Sequence, residues 1–98
     1  MLKGSARKYL RGLAHGLRPA VQIGKEGLTE AVLTAIDTAL AASELIKVQI
    51  VAEREERHAI ATTVEERLAC ECVGAVGHMA ILYRQLAVEE KRSVRLPA

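Results

Sequence analysis

The chain has 98 residues, the size of one domain, and its 27 Leu, Ile and Val residues exclude a disordered polymer. It has no Phe or Trp and only Tyr9 and Tyr83, which excludes modules that bind single strands by stacking bases on aromatic platforms. No uncharged apolar run is long enough for a membrane span, and the N-terminus lacks the apolar core of a signal peptide. We therefore expect a cytoplasmic protein.

The net charge of +2 conceals a strong segregation along the chain. Residues 1–25 carry six cations and no acid, residues 26–71 carry four cations against ten acids, and residues 72–98 carry four cations against two acids. Such asymmetry is typical of a basic face that meets a polyanion. A solvated helix face, offset in space by the acidic middle, is the alternative.

A first helix is predicted from an N-cap at Ser5 to about Gly16. Its apolar residues fall at helical spacing on one stripe, formed by Ala6, Leu10, Leu13, Ala14 and Leu17. Cations repeat at the same spacing on another side, at Arg7, Arg11, His15 and Arg18, with Lys3 and Lys8 beside them. The pattern predicts a helix that buries leucines and presents cations outward.

Pro19 breaks this helix. The predicted elements that follow are a strand over 20–23, a tight loop over 24–27, a second helix from the N-cap Thr29 to about Ser43, and a strand over 45–52. The acidic residues Glu30, Asp37 and Glu44 are predicted to lie outside the buried face of the second helix.

A third helix is predicted from the charged turn 53–57 to near Ala69, followed by a hairpin around Gly77 and His78. A weak last strand is predicted over 93–96. The order implies a parallel first pair of strands with a right-handed crossover and an antiparallel hairpin. We therefore expect an α/β sandwich with a four-stranded mixed sheet packed by helices. The chain is expected to form a single domain, with its core over about residues 2–86 and a C-terminal tail over 87–98.

The most informative segment is AVQIGKEGLTE, residues 20–30, in which a strand enters a glycine-bounded loop that opens a helix. Glycines let backbone N–H groups approach a ligand closely, and a helix N-terminus favours phosphate. Lys25 adds a cation, whereas Glu26 opposes an anion. A purely structural strand-to-helix turn is the alternative, and the spacing matches neither a P-loop nor a dinucleotide fingerprint.

Other chemistry is weakly indicated. Cys70, Cys72, His58 and His78 are four side chains of the types that bind zinc. The spacing of the two cysteines fits no common zinc site, however. We therefore expect buried structural thiols and no metal or cofactor. No nucleophile or acid–base pair is evident, so we expect no enzyme. The first helix is needed for the core, which argues against a membrane-surface role.

Three blocks of the sequence, LAHGLRPAVQIGKEGLTEAV, ELIKV and GHMAILYR, closely resemble the CRM domain (chloroplast RNA splicing and ribosome maturation) in its stand-alone bacterial, YhbY-like form. The likeness extends over roughly residues 2–96. It implies an RNA-binding domain with αβαβαββ order, similar to the C-terminal domain of translation initiation factor three. It also implies an association with precursor rRNA of the large ribosomal subunit.

The expected RNA-binding surface joins the loop to the first helix as one contiguous face. Its predicted members are Lys3, Arg7, Lys8, Arg11, His15, Arg18, Gly24, Lys25, Glu26 and Gly27, with additional contacts at His78 and Arg84. The protein is expected to act as a monomer. The alternative is a protein-interaction module that docks a ribosomal protein through the acidic middle or the hairpin edge.

Overall fold

The computed structural model describes residues 2–87 together with Arg92, Val94 and Leu96. Its elements in chain order are α1 (Gly4–Ala14), β1 (Pro19–Ile23), α2 (Glu30–Ser43), β2 (Leu45–Ile50), α3 (Arg54–Leu68), β3 (Glu71–Val76) and β4 (Met79–Tyr83). This order confirms the predicted arrangement of helices, strands and final hairpin.

The four strands form one mixed sheet in the order β1-β2-β4-β3. β1 and β2 pair in parallel, whereas β4 pairs antiparallel with both β2 and β3. The N–H of Val51 donates to the Ile23 carbonyl at 2.9 Å, and the N–H of Ile50 donates to the His78 carbonyl at 2.7 Å. The carboxyl ends of β1 and β2 and the hairpin turn therefore share one end of the sheet, which we call the loop end.

Helices cover both faces of the sheet. α2 and α3 pack on one face, over a core to which β2 contributes Ile46, Val48 and Ile50. α1 packs on the other face through Leu10 and Ala14, which are fully buried. The predicted sandwich is therefore confirmed, with β2 central in the sheet and in contact with both layers.

The predicted details of α1 are wrong in two respects. Ser5 lies inside the helix, and Lys3 occupies the N-cap position without a side-chain cap bond. Leu13 and Leu17, expected in the core, are 43% and 39% exposed. Leu17 lies three residues beyond Ala14, the last residue of α1. Helical spacing therefore no longer places it beside Leu10 and Ala14.

Glu44 is the main exception to the predicted pattern of α2. It was expected outside the buried arc, yet it is fully buried, because it follows the helix as its C-cap with a φ of 64°. Its carboxylate accepts the N–H groups of Leu86 at 2.9 Å and Val94 at 3.0 Å, and its carbonyl accepts the N–H of Arg84 at 2.9 Å. Glu44 thus fastens the segment after β4 to the end of α2.

Two described residues of the C-terminal tail pack on the α1 side of the sheet. Val94 and Leu96 contact the core there, beside Leu2. The strand predicted over 93–96 lies partly outside the described residues, since Ser93 and Arg95 are not described, and neither Val94 nor Leu96 is in a strand.

Replacing Glu44 with Ala is expected to destabilise the fold by about 1–3 kcal/mol, because partly buried N–H groups lose their acceptor. Chemical denaturation followed by circular dichroism measures the change. Glu66→Ala, at an exposed position of α3, is the matched control and should change stability by less than about 0.5 kcal/mol. Equal stability of the two variants would contradict the anchoring role of Glu44.

Candidate nucleic-acid interface

The loop Gly24–Gly27, called the glycine loop below, is a tight turn at the loop end. The N–H of Gly27 donates to the Gly24 carbonyl at 3.0 Å, and Gly27 has a φ of 76°, a conformation that strains any residue with a Cβ. Lys25 and Glu26 are exposed. The turn therefore engages one of the four loop amides and holds Lys25 and Glu26 at the surface.

The glycine loop leads into the N-terminus of α2. Thr29 caps the helix by accepting the N–H of Val32 at 3.2 Å, which leaves other first-turn N–H groups without helical partners. The loop, Thr29 and Val32 line a shallow depression of about 350 Å³. These N–H groups and the positive end of the helix dipole make the depression electrostatically favourable for an anion.

His78 lies at the same end of the sheet as the glycine loop. The two-residue turn of Gly77 and His78 joins β3 to β4 as predicted, and Gly77 has a φ of 58°. β2 alone separates β1 from β4 in the sheet, so the hairpin turn lies about two strand spacings, or about 10 Å, from the end of β1. The structure therefore brings the exposed His78 into the neighbourhood of the loop.

Arg7 and Arg11 do not adjoin the glycine loop, and the expected contiguous face is wrong in this respect. Arg7 forms an ion pair with Glu71 and donates to the Cys72 carbonyl at 3.0 Å. Arg11 donates to the Val73 carbonyl at 3.0 Å. Both side chains therefore lie on β3, at the opposite edge of the sheet from β1.

Glycine at position 74 makes room for this arrangement. A Cβ there would collide with the Cγ and Cδ atoms of Arg11, so the aliphatic stem of Arg11 lies directly on the β3 backbone. Arg7 and Arg11 thereby donate hydrogen bonds to main-chain carbonyls of the edge strand. The carboxylate of Glu65 accepts the N–H of Cys72 at 2.8 Å. This protects β3 from pairing with another strand.

The remaining predicted cations of the first segment are exposed. Lys3 and Lys8 lie on α1, His15 follows the helix, and Arg18 directly precedes β1. β1 spans five residues, so Arg18 and Gly24 lie beyond its two ends, six residue steps or at most about 20 Å apart at 3.3 Å per residue.

A polar strip of the sheet connects these two ends. Val21 and Ile23 pack toward α2 and α3, so Gln22 between them faces the α1 side, where it is exposed. Lys47 on the neighbouring strand faces the same side and is half-buried. Lys47 is not among the predicted contacts, although its alternation with apolar neighbours in β2 already placed it on the polar face.

Arg84 serves the fold rather than the loop end. Its guanidinium donates to the Asp37 side chain at 2.7 Å, to the Asp37 carbonyl at 3.1 Å and to the Leu68 carbonyl at 3.0 Å. It ties α2 to the end of α3, just beyond the end of β4 that is opposite the hairpin. The predicted contact between Arg84 and RNA therefore involves a guanidinium that is already bonded within the fold.

Cys70 and Cys72 are free, half-buried thiols at the junction of α3 and β3. Burial raises the pKa of Cys70 to about 11, with a further contribution from the negative charge of Glu65. Burial also raises the pKa of Cys72 above its usual value. The thiolate needed for metal binding or nucleophilic attack is therefore disfavoured at both positions. The described residues contain no group of three or more potential metal ligands.

Fold and surface together define a small α/β domain that presents a helix N-terminus, a glycine turn and basic side chains to the outside. Residues 2–84 match the CRS1 / YhbY (CRM) domain family. The chain belongs to this family.

Relatives of the chain cover nearly its whole length. It is 38% identical over 97 residues to an RNA-binding protein of Haemophilus influenzae, covering 98% of this chain and 95% of the relative. It is 33% identical over 98 residues to the Bacillus subtilis protein named probable RNA-binding protein YqeI, covering 99% of this chain and all of the relative, 100%.

A solved structure has the same fold. The solution structure of the hypothetical protein SAV1595 from Staphylococcus aureus superposes with a TM-score of 0.86 at 36% identity, covering 99% of this chain and 100% of that chain. In the part of our chain that the structure describes, no helix is both long and apolar enough to cross a membrane.

Replacing Arg7 with Ala is expected to cost about 1–3 kcal/mol of stability, because Glu71 and the Cys72 carbonyl lose a charged donor. Lys8→Ala removes the same charge from the neighbouring, exposed position and should cost less than about 0.5 kcal/mol. Urea denaturation of both variants measures the difference. Two variants as stable as the parent would show that Arg7 is not held in the fold.

Proposed function

We propose that the protein binds structured RNA mainly through its phosphate backbone, with the glycine loop as the central contact. The observation that carries this proposal is the exposed turn of Lys25 and Glu26 at the N-terminus of α2. Amide groups and the helix dipole both favour phosphate there. The family of the chain and the RNA-binding names of its relatives support the same ligand.

Four exposed cations supply long-range attraction to the polyanion. Lys3, Lys8, Arg18 and Lys25 are exposed and form no ion pair with any described residue. Each phosphate that such a cation neutralises releases condensed counterions, so the affinity should fall steeply as salt rises. Arg7 and Arg11 add to the positive electrostatic potential of residues 1–25, although their guanidinium groups are also bonded within the fold.

Recognition by shape and phosphate position fits the shortage of aromatic side chains at the surface. Tyr83 is buried, whereas Tyr9 is 41% exposed. Without rings on which several successive bases can stack, a protein discriminates between RNAs chiefly through the geometry of the backbone.

The proposed target is precursor rRNA of the large ribosomal subunit, and the proposed role is that of a cytoplasmic, monomeric ribosome assembly factor. The likeness to the stand-alone bacterial CRM proteins supports this target. No catalytic step is proposed, since binding alone accounts for the role. Docking of a ribosomal protein on the hairpin edge is less favoured, because side chains already occupy main-chain groups of β3.

Two opposite charge changes within the glycine loop test the phosphate contact. Lys25→Gln should weaken binding to a structured rRNA transcript and lower the slope of log affinity against log salt by about one. Glu26→Gln alters the adjacent exposed residue and should strengthen binding, because it removes a repulsive charge. Salt-dependent fluorescence anisotropy measures both effects. A salt-independent affinity, or identical affinities for the two variants, would contradict the proposal.

The target is tested by crosslinking the protein to RNA in cells and sequencing the attached fragments. We expect enrichment of large-subunit precursor rRNA over other abundant RNAs. Enrichment of another RNA class would contradict the ribosomal role while leaving RNA binding intact. Protein partners that remain bound after ribonuclease treatment of a pull-down would instead favour the protein-docking alternative.

A further inference from the structure

A groove of about 480 Å³ opens at the loop end between the first turns of α3 and the β3–β4 hairpin. Its volume lies within the range of about 300–1,000 Å³ that is typical of small-molecule sites. Apolar and small residues form much of its lining, among them Ile50, Ala61, Ala75 and Ala80. The small side chains leave room for a flat ring between the helix and the hairpin.

The polar side chains around the groove are basic. Arg54 and His58 come from α3, and His78 comes from the hairpin turn. All three are exposed. Arg54 forms no ion pair with a described residue, whereas the guanidinium of Arg57, which also lines the groove, donates to the Ala52 carbonyl at 2.7 Å.

The acids of α3 lie outside the groove. No Asp or Glu among the described residues lines it. Glu55 lines an adjoining depression together with Arg54 and His58, and Glu53 and Glu56 line neither cavity. The groove therefore combines an apolar interior with a positive rim, which is complementary to a flat base that carries a phosphate.

We infer that this groove holds one unpaired nucleotide of the bound RNA, its base against the small residues of the interior and its phosphate against Arg54 and the two histidines. The inference rests on the proposed function. Sequence-specific recognition of RNA mainly targets unpaired bases of loops and bulges, which can be turned out of the stack. The groove would thus provide a base contact to a protein whose surface has few aromatic rings.

The position of the groove fits a strand that also contacts the glycine loop. The hairpin turn is about 10 Å from the end of β1, which corresponds to about three nucleotides of a stacked strand at 3.4 Å each. One RNA segment can therefore place a phosphate at the glycine loop and a nearby unpaired base in the groove.

Ala61→Leu tests the groove because it fills the interior without changing charge. Ala59→Leu, at an exposed position of the same helix that does not line the groove, is the matched control. The affinity of each variant is measured for an RNA hairpin with a single-nucleotide bulge and for the same stem without the bulge. We expect Ala61→Leu to weaken binding of the bulged RNA about five- to tenfold, to leave the plain stem unchanged, and Ala59→Leu to affect neither.

NMR chemical shift mapping on the parent protein provides a second test. This test does not depend on whether the Ala61→Leu variant folds. The bulged RNA should shift the amides of Gly77 and His78 as well as those of the glycine loop, whereas the plain stem should shift the loop alone. Shifts confined to the loop with both RNAs, or equal affinities of a folded Ala61→Leu and Ala59→Leu for the bulged RNA, would overturn the inference. Failure of the unsubstituted protein to bind either RNA would instead overturn the proposed function on which it rests.

Discussion

The parallel pairing of β1 with β2 is the constraint on which the exposed surface of this domain depends. Ile23 pairs with Ile50 at the carboxyl ends of the two strands, and a parallel pair needs a crossover element, here α2. The crossover forces the chain to turn at the end of β1 and to begin a helix there. The glycine loop, the start of α2 and the start of α3 are all consequences of this single pairing.

The antiparallel pairing of β4 with β2 completes this end of the sheet. It brings the hairpin turn to the carboxyl end of β2, where the His78 carbonyl accepts the N–H of Ile50. Loops that are far apart in sequence therefore lie side by side. Backbone amides dominate near β1 and basic side chains dominate near β4, so the two halves differ in the chemistry they offer to a ligand.

α1 packs on the sheet and protects its edge through two different sets of side chains. Leu10 and Ala14 hold it on the sheet, while Arg7 and Arg11 cover the main chain of the edge strand β3. A count of charges in residues 1–25 therefore overstates how many are available to a ligand. An arginine that protects an edge strand stabilises the fold, and some of its N–H donors are already engaged there.

Local sequence patterns determined the order and type of the elements. The Thr29 cap, the two-residue turn at Gly77 and the alternation of β2 each depend on neighbours in sequence, and the structure confirms all three. The exposure of Lys25 in a glycine-bounded turn followed from the same kind of local evidence.

Only the tertiary structure decided which charged groups the fold uses. The partners of Arg11 and Arg84 lie 62 and 47 residues away, and the carboxylate of Glu44 accepts an N–H from Val94, 50 residues later. Periodicity describes the faces of one element and contains no information about which element will cover them. For the same reason the groove between α3 and the hairpin, built from two separate segments of the chain, emerged only when those segments met at the loop end.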